Sequence, residues 1–167
     1  LINSKPTGTL VCDYLLPGRN LFLLSTGTGL APFMSIVRDP ETYEKFDKII
    51  LTHTVRHQKE LAYYDMLQNL NNDEIYSEVT KGKFIYFNTV TRDEWPRKGR
   101  ITKWIEENKL WNEIGVDKFD PKQDRVMICG SEDMTNELKK MFEELGSEEG
   151  STKVQGGFVI EKAFAEK

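Results

Sequence analysis

The chain has 167 residues, 38% of them hydrophobic and 30% charged, enough for one domain with a substantial core. Its net charge of −4 speaks against nucleic acid as a partner, and no apolar run is long enough for a membrane-spanning helix. Cys12 and Cys129 are too far apart for a disulfide framework and suit a reducing, cytoplasmic setting; with His53 and His57 the only histidines, no metal-ligand spacing occurs.

The opening stretch "LINSKPTGTL" begins with Leu and has no charged segment followed by a long apolar one, so it is not a signal peptide. It is expected to continue a longer protein. "NLFLLST" (20–26) is a compact apolar run and predicts a buried strand, and "LAPFMSIVRD" (30–39) follows with helical spacing, Pro32 falling in the first turn. "DKIILTHTV" (47–55) is β-branched and predicts a second strand. "QKELAYYDMLQNL" (58–70) places Leu61, Tyr64, Met66, Leu67 and Leu70 at helical intervals. "LNNDEIYSEV" (70–79) is expected to be a polar surface connection.

"GKFIYFNTV" (82–90) predicts a third strand, and "ITKWIEENKLW" (101–111) a helix with Trp104, Ile105 and Leu110 facing inward. "DRVMICG" (124–130) predicts a fourth strand. In "SEDMTNELKKMFEELG" (131–146) Ser131 can cap a helix that Gly146 ends. "GGFVIEKAF" (156–164) closes the series as a strand. Strands alternating with helices imply an α/β fold, a five-stranded parallel sheet with helices on both faces. Ligands of such sheets sit at the carboxyl ends of the strands.

"STGTG" (25–29) leaves the first strand through two glycines and enters a helix at once. Backbone N–H groups at a helix start, with the helix dipole behind them, make an anion site, and Thr26 and Thr28 add hydroxyls. The stretch is neither G-x-G-x-x-G nor a Walker A loop, and a tight turn without a ligand is the alternative. "TRDEWPRKGR" (91–100) holds three arginines and a lysine after the third strand. Arg56 stands after the second, where the adenosine ribose is read in nucleotide-binding α/β folds. An arginine there favours the 2′-phosphate of NADP, whereas NAD selection would favour Asp or Glu. The alternative is a solvated basic loop. In "CGS" (129–131) Gly130 permits close approach of a flat ring; Cys129 is a small polarizable neighbour for it or else an ordinary core cysteine.

"STGTGLAPFMSIVRDPETYEKFDKIILTHTVR", "TVTR…GRIT", "MICGSEDM" and "FVIEKAFAEK" together resemble the ferredoxin–NADP+ reductase family, in particular its bacterial flavin-containing branch. The resemblance implies that residues 20–167 form the NADP(H)-binding domain and residues 1–19 the end of a flavin-binding barrel and its connection. By it, Thr26, Gly27, Thr28 and Gly29 line the pyrophosphate and nicotinamide path, with Ser25 in the cofactor-binding set beside them, and Arg56, Thr91, Arg92 and Arg100 take the 2′-phosphate. Gly130, Ser131 and Met134 complete the cofactor-binding set. Cys129 matches the cysteine beside the nicotinamide, and Ala163 and Phe164 the pair packed on the flavin. The implied reaction is hydride exchange between NADP(H) and FAD, with one-electron transfer to ferredoxin or flavodoxin. The family's Arg-x-Tyr-Ser flavin signature is absent, so the 167 residues are expected to lack the body of the FAD barrel and to be inactive alone. Two rival readings are an NAD(P)H-dependent flavin reductase component of an oxygenase and a non-catalytic nucleotide-binding module.

Overall fold

Strand β1 (Asn20–Thr26) is buried on both faces, which a strand of near-continuous apolar side chains requires. The computed structural model describes residues 12–151 and 153–162. It pairs β1 in parallel with β2 (Lys48–Val55) on one side and β4 (Arg125–Gly130) on the other. Strands β3 (Phe84–Val90) and β5 (Phe158–Lys162) form the two edges, giving the order β3-β2-β1-β4-β5.

The two faces bury different halves of each strand. On one, Leu21, Leu23, Ile49, Leu51 and Met127 meet Leu30, Phe33 and Val37 of the segment through α1 (Ala31–Val37). On the other, Phe22, Leu24, Ile50, Val126 and Ile128 meet Ile101 and Ile105 of α5 (Ile101–Glu106) and Leu138 and Phe142 of α7 (Glu132–Glu144). Each fully buried Leu, Ile or Phe side chain contributes on the order of 1.5–3 kcal/mol. The expected five-stranded parallel sheet with helices on both faces is what the chain adopts.

The helices depart from expectation where single residues break them. After β1 a 3₁₀ turn (Gly27–Leu30) precedes α1, and α2 (Pro40–Lys45) follows, with Asp39 Oδ1 accepting from the Glu41 N–H at 2.9 Å. The helix expected over 58–70 is a 3₁₀ turn (Gln58–Glu60), α3 (Tyr64–Gln68) and another turn (Leu70–Asn72), because Tyr63 adopts φ +59°. The stretch read as a surface connection ends in α4 (Ser77–Thr80), and both Leu70 and Thr80 are buried. The helix expected over 101–111 stops at Asn108, φ +58°, and resumes as α6 (Lys109–Ile114). α7 is as read: Ser131 Oγ accepts from the Met134 N–H and Gly146 has φ +103°.

Residues 12–19 pack against the sheet rather than apart from it. The Arg19 guanidinium bonds both carboxylate oxygens of buried Asp124, at 3.1 and 2.9 Å. Arg125 donates to the carbonyls of Leu16, Pro17, Pro121, Lys122 and Asp124. Among the described residues no helix is long and apolar enough to cross a membrane.

Candidate functional site

The chain winds from β1 toward β2 and β3, then returns to place β4 on the other side of β1, so the strand order reverses between β1 and β4. At such a switch point the loops after the two strands part and leave a crevice. Here it is a cleft of about 1140 Å³, lined by Thr26, Gly27, Thr28, Arg56, Thr91, Arg92, Arg100, Gly130, Ser131 and Met134, among others. Those ten are among the residues singled out from the sequence, gathered from the ends of β1, β2, β3 and β4.

The floor is built by close approach. Gly27 adopts φ +51° in open space, so its glycine answers a backbone requirement. Gly29 answers a steric one: a Cβ there would overlap the Cys129 carbonyl. Gly29 therefore packs the turn onto β4 and does not line the cleft. Gly130 lies against Thr26, whose Oγ1 accepts from the Ser131 N–H at 3.0 Å. This bond ties the exit of β1 to the start of α7.

Ser25 and Cys129 also lie beneath the cleft and not in its wall. The Ser25 hydroxyl is buried and donates to the Thr52 carbonyl at 2.7 Å. The Cys129 side chain is 1% exposed within the core facing α1, and burial pushes its thiol up to about 12. The thiol is therefore held in its protonated form at physiological pH. Ala163 and Phe164 lie outside the described residues.

The opposite wall carries the positive charge. β2 and β3 run on past their ends, with the Thr91 N–H donating to the Val55 carbonyl at 3.0 Å and the Arg92 N–H to that of Arg56 at 2.8 Å. This sets Arg56 and Arg92 side by side. Both are exposed, and neither is ion-paired among the described residues. The other cations of the basic loop are engaged. Arg97 pairs with Glu113 and lies over the Phe87 ring, Lys98 pairs with Glu94, and Arg100 pairs with Glu137 of α7.

Two carboxylates hold this wall in shape, and sequence reasoning passed over both. Glu60 accepts from the backbone N–H groups of His57 and Arg56, which keep its carboxyl below the ordinary value. Asp93 accepts from His57 Nδ1 at 3.0 Å and from the Gln58 N–H at 2.7 Å, and those bonds hold it low as well. Asp93 thus clasps the loop after β3 to the loop after β2. An acid inside an otherwise basic loop was the available signal. Ala62 and Tyr63, also in the lining, carried no signal, since the turn at Tyr63 was hidden inside a helical pattern.

A parallel sheet with a glycine turn at its switch point and paired arginines across from it defines a nucleotide-binding α/β domain. The family model described as "Oxidoreductase NAD-binding domain" matches residues 23–140, and the chain belongs to that family. It is 44% identical over 169 residues to "Ferredoxin--NADP reductase" of Azotobacter vinelandii, covering all of this chain and 66% of that protein. It is 42% identical over 165 residues to "Flavodoxin/ferredoxin--NADP reductase" of Rhodobacter capsulatus, covering 98% and 61%. Among solved structures, a ferredoxin NADP+ reductase from Neisseria gonorrhoeae with bound FAD and NADP superposes with TM-score 0.83 at 27% identity, covering 95% of this chain and 61% of that one. The chain thus spans less than two thirds of the length of the relatives it matches. The resemblance to the ferredoxin–NADP+ reductase family holds over the whole chain.

Proposed function

We propose that this chain is the NADP(H)-binding domain of a ferredoxin (or flavodoxin)–NADP+ reductase. The observation that carries the reading is the pair Arg56 and Arg92, adjacent through a 2.8 Å backbone bond, with neither guanidinium in a salt bridge among the described residues. Two exposed guanidinium groups on one cleft wall suit a dianionic phosphate, which only the 2′-phosphorylated dinucleotide carries on its ribose. Across the cleft the Gly27–Thr28 turn suits the pyrophosphate.

In this reading the residues act by binding and orienting. Arg56, Arg92 and Thr91 fix the adenosine end, and the Gly27–Thr28 turn fixes the middle. Gly130 and Ser131, in the cleft wall where β4 ends, border the nicotinamide end, Gly130 letting Thr26 and Met134 pack against its backbone. Cys129, Ala163 and Phe164 are assigned to that end by the resemblance, the last two on the flavin face. When bound, the nicotinamide supplies a hydride and FAD parts the pair into single electrons for ferredoxin or flavodoxin. In this reading FAD is held by the flavin-binding barrel of the family and not by the cleft described here. Relatives named for ferredoxin or flavodoxin support those carriers. The spacing of the two cysteines supports a cytoplasmic setting. An NADH-linked oxygenase reductase is disfavoured by the same two arginines.

Calorimetric titration of the chain with NADP+ and NAD+ at one salt concentration tests this. A charged phosphate contact is worth about 1.5–3 kcal/mol, so NADP+ should bind about ten- to a hundredfold more tightly. Equal affinities would remove the basis of the reading.

A further inference from the structure

His53 is a titratable side chain in the middle of a sheet, fully buried, on the strand next to the glycine turn. Its Nε2 lies 2.7 Å from the Gly27 carbonyl oxygen. A carbonyl only accepts, so the ring must donate from Nε2. That fixes the tautomer and leaves Nδ1 as an acceptor, buried and without a hydrogen-bond partner. Burial also lowers the affinity of the ring for a second proton, so the imidazole is neutral. An unsatisfied buried nitrogen calls for a reason. The one bond the ring makes among the described residues is to a peptide whose other edge borders the cleft.

A peptide unit is planar and trans, so its C=O and N–H point in opposite directions. The Gly27 carbonyl points down into the sheet toward His53. The N–H of Thr28, in the same peptide plane, therefore points up. Gly27 and Thr28 are exposed and line the cleft. The φ of +51° at Gly27 is the conformation in which the 3₁₀ turn Gly27–Leu30 starts and presents this peptide, with open space where a side chain would stand.

We infer that His53 is a positioning residue: through Nε2–H it orients the Gly27–Thr28 peptide so that the Thr28 N–H faces the cleft as an anion donor. The inference rests on the nucleotide-binding reading above and names what holds its pyrophosphate end in place. The ligand group it serves is a phosphate over the turn, not the ribose phosphate at the arginines some way across the cleft.

Two probes separate these ends. NADP+ engages both, whereas 2′-AMP carries only the phosphate expected at Arg56 and Arg92. In the 167-residue chain, His53→Leu should weaken NADP+ binding about tenfold and change 2′-AMP binding less than twofold. His53→Gln, whose amide can donate from nearly the same place, should restore most of the NADP+ affinity. A parallel loss for both ligands, no loss for either, or failure of the glutamine to rescue would overturn the assignment. If the leucine variant does not fold, nitrogen NMR of the wild-type His53 ring tests the same contact without a mutation. A neutral Nε2–H tautomer whose Nε2 proton couples to the Gly27 carbonyl supports it, and an Nδ1–H tautomer overturns it. Failure of the wild type to prefer NADP+ over NAD+ would instead count against the nucleotide reading and leave the tautomer result standing.

Discussion

Replacing Gly29 by alanine should destabilise the chain far more than replacing Gly27, although both stand in one turn. At Gly29 an added Cβ would lie 2.6 Å from the Cys129 carbonyl carbon and 2.9 Å from the Gly130 Cα, and would overlap the Cys129 oxygen. All three are backbone atoms of β4, so no side-chain rotation relieves them. Overpacking of this kind costs about 1–3 kcal/mol, and a rigid strand end puts Gly29→Ala at the upper limit or above it. At Gly27 an added Cβ meets nothing, and the only penalty is the left-handed φ of +51°, about 1–2 kcal/mol. For a chain of this length 1 kcal/mol moves Tm by roughly 2–4 °C, so Gly29→Ala should lower it by about 6–12 °C or more and Gly27→Ala by about 2–8 °C. Gly27→Asn should recover part of the Gly27 loss, because Asn tolerates that φ. Urea unfolding followed by tryptophan fluorescence measures both. A Gly29→Ala variant as stable as wild type, or one more stable than Gly27→Ala, would refute the packing of the turn onto β4.

Arg125→Met should destabilise by about 2–4 kcal/mol in the same assay, since it strips the donor from five backbone carbonyls around residues 16–17 and 121–124. Asp93→Ala should weaken NADP+ binding several-fold and leave melting nearly unchanged, because it unclasps the two arginine loops without touching the core; unchanged affinity in calorimetry would count against the clasp. The Cys129 thiol gives an alkaline signature. Its value is raised from 9.0 to about 12 in the fold, so its contribution is intact below pH 9. Above pH 9 the unfolded thiol ionises and the folded one does not, and stability should fall by up to about 1.4 kcal/mol per pH unit relative to Cys129→Ala. Urea midpoints that run parallel for the two proteins between pH 8 and 10.5 would contradict this.

The strands were legible because their signal is local. Asn20–Thr26 has the expected bounds, and β2, β3 and β4 begin one or two residues inside theirs. The helices after β2 and β3 were legible only in part. Leu61, Leu67 and Leu70 do face the interior, but the turns at Tyr63 and Asn108 depend on positive φ in residues that are not glycine, which apolar spacing does not report. The arginine wall could be read because charge after a strand end has one place to go in a parallel sheet. Ser25 and Gly29 were read as cofactor-binding, and Cys129 as the neighbour of the nicotinamide, because a motif names a segment and not its faces. In the fold the loop presents Gly27 and Thr28 to the cleft and turns Gly29 inward, while Ser25 on β1 and Cys129 on β4 are buried beneath it. The roles of His53 and Asp93 needed three dimensions, since each acts on a backbone group at least 26 residues away in sequence.

The central claim is that Arg56 and Arg92 hold a ribose 2′-phosphate, and the protonation of that phosphate reports it most directly. Phosphorus NMR of NADP+ bound to the chain, followed across pH, gives the second pKa of the 2′-phosphate, about 6 when free. Two adjacent guanidinium groups favour the dianion, so the value should fall on binding to wild type and return most of the way to the free value in Arg92→Ala. A bound 2′-phosphate that titrates as it does in free solution would contradict the assignment.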